Sequence, residues 1–154
     1  MQFTRSGALA ALMMISSLAS AEVRIEGPVE FGVFDGPKAD LQAGERVLRR
    51  SNEQIQATTV VPAKLGTKFG LRYQLLGKAV EDTPLTLLYF TPGIRTPDGV
   101  RHDKLEVTQK LVPGAPQEVM AFEFTEHHEV VPGEWRFMVF QGDRLLTQKS
   151  FTVR

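Results

Sequence analysis

Apolar and polar residues alternate with a period of two along most of the chain beyond residue 21. Phe69, Leu71, Tyr73 and Leu75 fall on one side of an extended segment, and Gly70, Arg72 and Gln74 on the other. That period marks a half-buried strand, because successive side chains leave a strand on opposite faces. The pattern returns at Leu85, Leu87 and Tyr89, at Met120, Phe122 and Phe124, and at Trp135, Phe137 and Val139. It is weaker at Leu105, Val107 and Leu111. Turn residues punctuate it: Asp35-Gly36-Pro37, Pro113-Gly114-Ala115-Pro116, Pro132-Gly133 and Gly142-Asp143. Gly and Pro end regular structure, Gly by accepting positive φ and Pro by fixing φ and lacking an N–H. A long loop is expected from Thr91-Pro92-Gly93 through Thr96-Pro97-Asp98-Gly99.

Strands are therefore predicted at 23–34, interrupted at Gly27-Pro28, and at 67–76, 84–91, 102–111, 118–125, 134–141 and 145–153. Thr58 to Val61 also reads as extended and is closed by Pro62. Residues 38–57 are polar and fit either a short edge strand or a helical turn. No segment carries a convincing helical period. Short, regularly spaced strands with Gly/Pro turns predict an all-β fold, an immunoglobulin-like antiparallel β-sandwich of about seven strands. The usual topology places 23–34, 67–76, 118–125 and 102–111 in one sheet, and 84–91, 134–141 and 145–153 in the other.

The first 21 residues break this pattern. Met1 to Arg5 carries one positive charge, an apolar run follows from about Gly7 to Leu18, and Ala19-Ser20-Ala21 supplies small residues before a cleavage point. That is the tripartite form of a cleaved secretory signal. The apolar run is shorter than the ~20 residues a spanning helix needs. No cysteine stands at the cleavage point for lipid attachment, and Arg5 has no paired arginine. The expectation is a periplasmic or secreted domain that begins at Glu22, with no transmembrane segment in the mature chain.

Removing residues 1–21 from 154 leaves 133, which suits one domain and a core that needs no disulfide. The mature part carries 17 basic and 18 acidic residues, since only Arg5 is lost from the balanced 18 and 18. A nucleic-acid reader shows a clustered basic excess, and Arg49-Arg50 is the one adjacent basic pair. No nucleic-acid partner is expected.

Three segments carry a family likeness: Val60 to Gly70 (VVPAKLGTKFG), Thr91-Pro92-Gly93 with Pro97-Asp98-Gly99, and Pro132 to Phe137 (PGEWRF) running into Phe151-Thr152-Val153. On these the mature chain resembles a family of short bacterial exported proteins described as a domain of unknown function. The Pro-Gly-x-Trp step into the last hairpin also looks like bacterial immunoglobulin-like modules. The shared residues are turn and core positions, so the resemblance implies a fold and brings no activity or site residues.

Catalytic chemistry has little support. Cysteine is absent, and the mature serines, Ser51 and Ser150, sit in no Gly-x-Ser-x-Gly turn. No glycine loop suited to a phosphate is present, and no cofactor is implied. Lys64 to Lys68 reads as a shaped approach to a strand, with Gly66 meeting a backbone demand. His102-Asp103 is a lone dipeptide without a positioned partner. Glu126-His127-His128-Glu129 is the most ligand-rich cluster. His and carboxylate suit zinc or copper, and a metal site drawing on His102, His127, His128 and Glu129 is the alternative reading. Neighbours on a strand point to opposite faces, which limits how many of these could share one ion.

The segments 84–91 and 134–141 are apolar on both sides. Leu88 and Phe90 lie opposite Leu87 and Tyr89, and Met138 and Phe140 opposite Phe137 and Val139. A sandwich strand needs one apolar face only. If the two segments are neighbours, Leu88, Phe90, Met138 and Phe140 form a second apolar patch, and large exposed patches mark interaction sites. Residues 38–57 could instead fold over it. The sequence thus points to a non-enzymatic module that binds a protein or cell-envelope partner, through this patch or the 92–101 loop.

Overall fold

The alternating segments become two sheets that face each other, antiparallel except where the short strand Val60–Val61 joins its neighbour. The computed structural model describes residues 22–35, 53–79 and 83–154; the proposed leader and residues 38–52 lie outside them. The strands are β1 (Arg24–Asp35), β2 (Gln54–Gln56), β3 (Val60–Val61), β4 (Lys68–Leu76), β5 (Leu85–Arg95), β6 (Arg101–Gln109), β7 (Glu118–Glu123), β8 (Gly133–Gln141) and β9 (Arg144–Val153). A single 3₁₀ turn, His127–Glu129, separates β7 from β8. One sheet has the order β2-β1-β4-β7 and the other β3-β9-β8-β5-β6. The all-β, immunoglobulin-like expectation is met.

One strand sits in the other sheet from that expected. The segment expected at 102–111, assigned by the usual topology to the sheet of β1, β4 and β7, forms β6 and pairs instead with β5, with Leu87 opposite Val107 and Tyr89 opposite Leu105. The connection explains it. The anticipated long loop is mostly strand: β5 runs on through Thr91-Pro92-Gly93 to Arg95, with an irregularity between Phe90 and Ile94. Only a tight turn remains. Thr96 N–H donates to Val100 C=O at 3.0 Å, Gly99 N–H to Thr96 C=O at 2.8 Å, and Val100 N–H to Asp98 Oδ1 at 3.1 Å. Gly99 has φ +85°, which glycine adopts freely. A turn this short returns the chain beside itself and cannot carry it ~10 Å to the opposite sheet.

The polar stretch 38–57 yields β2 in its described part, where Ile55 lies opposite Phe34 of β1. β3 joins β9 in parallel, Val60 opposite Thr152. The break expected at Gly27-Pro28 is a register shift between Glu26 and Glu30.

The core is aromatic at its centre. The Phe69 ring lies 5.2 Å from Phe137, 5.4 Å from Phe124 and Phe151, and 5.7 Å from Trp135, centroid to centroid. All five are fully buried. Each such ring removes about 150–250 Å² from water, and tilted or edge-on contacts at these separations add to that burial. Trp135 Nε1 donates to Val131 C=O at 3.0 Å, so its one polar atom is satisfied. The predicted inward residues of β4, β5, β7 and β8 all line this core.

Candidate partner-binding face

The structure gathers the four residues of the second apolar patch. β5 and β8 are direct neighbours, and Leu88 lies opposite Met138. One step along, Phe90 lies opposite Arg136 and Phe140 opposite Thr86. Directly opposed side chains sit with Cβ atoms about 4.5–5.5 Å apart, so Leu88 and Met138 form the middle of an outward patch. Leu87, Tyr89, Phe137 and Val139 turn inward from the same strands and are buried.

The patch is half-buried rather than bare. Leu88, Phe90, Met138 and Phe140 all have intermediate exposure. On the β9 side it continues to Leu145, which is opposite Phe140 and 41% exposed. On the β6 side it is bounded by charge, with Glu106 opposite Leu88 and Lys104 opposite Phe90. The Arg136 guanidinium lies 4.8 Å from the Phe90 ring centroid, within cation–π reach. The face is therefore an apolar stripe with cationic and acidic margins. Arg136 and Leu145 were not anticipated; Arg136 shares the outward alternation of Met138 and Phe140, which was the available signal.

Residues 53–57 do not cover this face. Gln54–Gln56 pairs with β1, at an edge of the opposite sheet.

The residues of the metal reading, His102, His127, His128 and Glu129, are not gathered into one site. Among the described residues no group of three His, Cys, Asp or Glu side chains is placed to hold an ion. His128 Nε2 lies 3.2 Å from Glu126 Oε2, and His102 Nε2 lies 3.4 Å from Thr96 Oγ1. His127 is exposed. Glu129 is buried and committed elsewhere: its Oε1 accepts from Thr125 N–H at 3.0 Å, Thr125 Oγ1 at 3.0 Å and Glu126 N–H at 2.9 Å. This carboxylate closes the 3₁₀ turn. Asp103 likewise accepts from Arg101 Nε at 2.8 Å on the surface and does not face His102 as an acid–base partner.

Polar groups the sequence did not single out lie between and behind the sheets. Tyr73, on β4, is buried opposite Glu118 of β7. Burial first, and then the nearby Glu118 carboxylate, push its phenol well above the usual tyrosine range. Glu118 pairs with Lys78 at 3.1 Å. On the outer side of the four-stranded sheet, Lys68 Nζ meets Glu53 Oε1 at 2.5 Å. Arg72 grips Glu30 through Nε at 2.6 Å and Nη2 at 2.9 Å. Their spacing fits structural ties between strands.

Among the described residues no helix is long and apolar enough to cross a membrane. A family model described as a domain of unknown function, DUF3859, matches residues 22–153, and the chain belongs to that family. No curated protein matches. A solved structure described as an immunoglobulin-like protein from Pseudomonas aeruginosa is 68% identical, covering 88% of this chain and 99% of that one, with a TM-score of 0.77.

Proposed function

We propose that this DUF3859 member is an exported, non-enzymatic β-sandwich module that binds a protein or another cell-envelope component through the outer face of β5 and β8. The observation that carries the reading is the opposition of Leu88 and Met138, flanked by Phe90, Phe140 and Leu145. A strand that needs only one apolar face carries two, and the excess sits outside the core. Charged margins at Glu106, Lys104 and Arg136 would orient a partner on this stripe. Export is supported by the tripartite pattern of residues 1–21.

The test is a double substitution, Phe90→Glu with Phe140→Glu. Both side chains already reach solvent, so the fold should survive, as read by circular dichroism. Cross-linking in intact cells should trap a partner with the natural protein and lose it with the variant. Equal trapping by both proteins overturns the reading.

A further inference from the structure

We propose that the cleft between the end of β6 and the start of β7 binds a small uncharged ligand bearing an amide, with the Gln109 side chain as its hydrogen-bonding partner; the site is separate from the β5–β8 face and goes beyond the binding-module reading. Gln109, the last residue of β6, lies opposite Leu85 of β5. Glu118, the first residue of β7, lies opposite Tyr73 of β4. Leu85 and Tyr73 belong to the core between the sheets. Directly opposed residues share a face of their sheet, so Gln109 and Glu118 point inward, one from each sheet. Both line a cleft of about 500 Å³, together with Leu111, Val112 and Ala115. That size and that mixed lining suit a small-molecule site. Lys110 also lines the cleft but is exposed, where salt and water screen its charge.

The polar groups of this cleft are unevenly satisfied. Lys78 Nζ donates to Glu118 Oε1 at 3.1 Å and to the Ala115 carbonyl at 2.6 Å. The buried carboxylate is thereby neutralised, and the connection between β6 and β7 is tied down beside it. Gln109 has no such tie. It is 8% exposed, and its Oε1 is shut off from solvent without a hydrogen-bond partner among the described residues. The Tyr73 hydroxyl, on the residue opposite Glu118, is in the same condition. Gln141 supplies the contrast, since it lies opposite Leu85 from the other side, on β8, and is equally buried. Its Nε2 donates to Thr83 C=O at 3.1 Å, and its Oε1 accepts from Val23 N–H at 3.2 Å. Buried polar atoms are nearly always bonded, so Gln109 calls for a partner that the chain does not supply. The group complementary to a glutamine amide is another amide, whose N–H meets Oε1 while its C=O accepts from Nε2. The soft terminal torsion of Gln109 lets its oxygen turn toward a donor in the cleft. Leu111, Val112 and Ala115 suit an apolar substituent on that amide. A charged ligand is not selected, because Glu118 is already paired and a second buried charge would stand alone.

The experiment is an NMR titration of the isotope-labelled protein with two probes. N-acetylglucosamine presents the amide on a sugar, and N-acetylalanine methylamide presents it on a peptide. At least one should bind saturably with a Kd at or below about 10 mM, which ligands of this size can reach. Binding should move the Gln109 side-chain amide signals together with those of Leu111 and Val112, and the probe that binds identifies the source of the amide. Glucose, acetate and the peptide probe methylated on both nitrogens should give no such shifts. Gln109→Leu should weaken binding about tenfold or more without lowering the urea midpoint, because it removes an acceptor that has no bond to lose. Failure of both probes to saturate, equal binding by any of the three controls, or undiminished binding by Gln109→Leu would overturn the proposal. A Gln109→Leu protein that is less stable or does not fold would also overturn it, since Gln109 would then be a structural tie.

Discussion

The Tyr89 hydroxyl, on β5, donates to the backbone carbonyl of Ala121, on β7, at 3.0 Å. The bond crosses from one sheet to the other, and both residues are buried. β7 is the edge strand of its sheet. The alternating pattern explains why Tyr89 is inside but not what its oxygen does there. A buried tyrosine hydroxyl needs a partner, and a buried edge carbonyl needs a donor. Each satisfies the other.

Tyr89→Phe keeps the ring, with its contacts to Phe122 and Phe137, and removes only the donor. The Ala121 carbonyl is then buried without that bond, at a cost of about 1–3 kcal/mol. Urea unfolding should show a lower midpoint with an unchanged slope, because the buried area stays the same. An unchanged midpoint would show that the cross-sheet bond contributes nothing net.

Gly32 tests the seating of β2. A Cβ there would stand 1.9 Å from the Gln56 carbonyl oxygen, and the residue has φ +143°. Gly32→Ala should push β2 away from β1 and destabilise the domain by about 1–3 kcal/mol. Amide exchange should rise first in residues 54–56. Uniform loss of protection across both sheets would show that β2 does not detach on its own.

Acid should weaken the tie between β1 and β4. The hydrogen bonds from Arg72 hold the Glu30 carboxyl below its ordinary value of 4.5, against the small opposing effect of burial. A folded-state value below the unfolded one gives stability that is fully present above about pH 4.5 and lost as pH falls through the folded value. Glu30 is about half exposed, so water screens the pair and the contribution stays at or below about 1 kcal/mol. Natural protein and Glu30→Gln should differ in stability near neutral pH and converge in acid. A constant difference down to pH 2 would remove the pair from the account.

Glu129 is expected to matter for folding and not for metal. Glu129→Ala strands the Thr125 and Glu126 donors at a buried turn, which should cost roughly 2–3 kcal/mol. Zinc should leave the melting temperature of the natural protein unchanged. A zinc-dependent rise that disappears in His102→Ala or His128→Ala would restore the metal reading.

The sequence by itself determined the strands and their inward residues. A period of two ties side-chain chemistry to a face, and Gly/Pro turns mark the breaks, so Phe69, Trp135 and Phe137 could be placed inside before any contact was known. It also exposed the second apolar side of β5 and β8, because that signal is local to each strand. Sheet membership was not local. Whether residues 101–109 lie with β5 or beside β7 depends on how tightly Thr96 to Val100 turns, and Thr91-Pro92-Gly93 looked like the start of a loop although β5 continues through it. Tertiary structure alone decided the destination of each polar group: Glu129 onto a turn, Tyr89 onto Ala121, Lys149 over Phe31. Alternation fixes which side a residue takes. Which atom meets it there is settled only when distant strands come together.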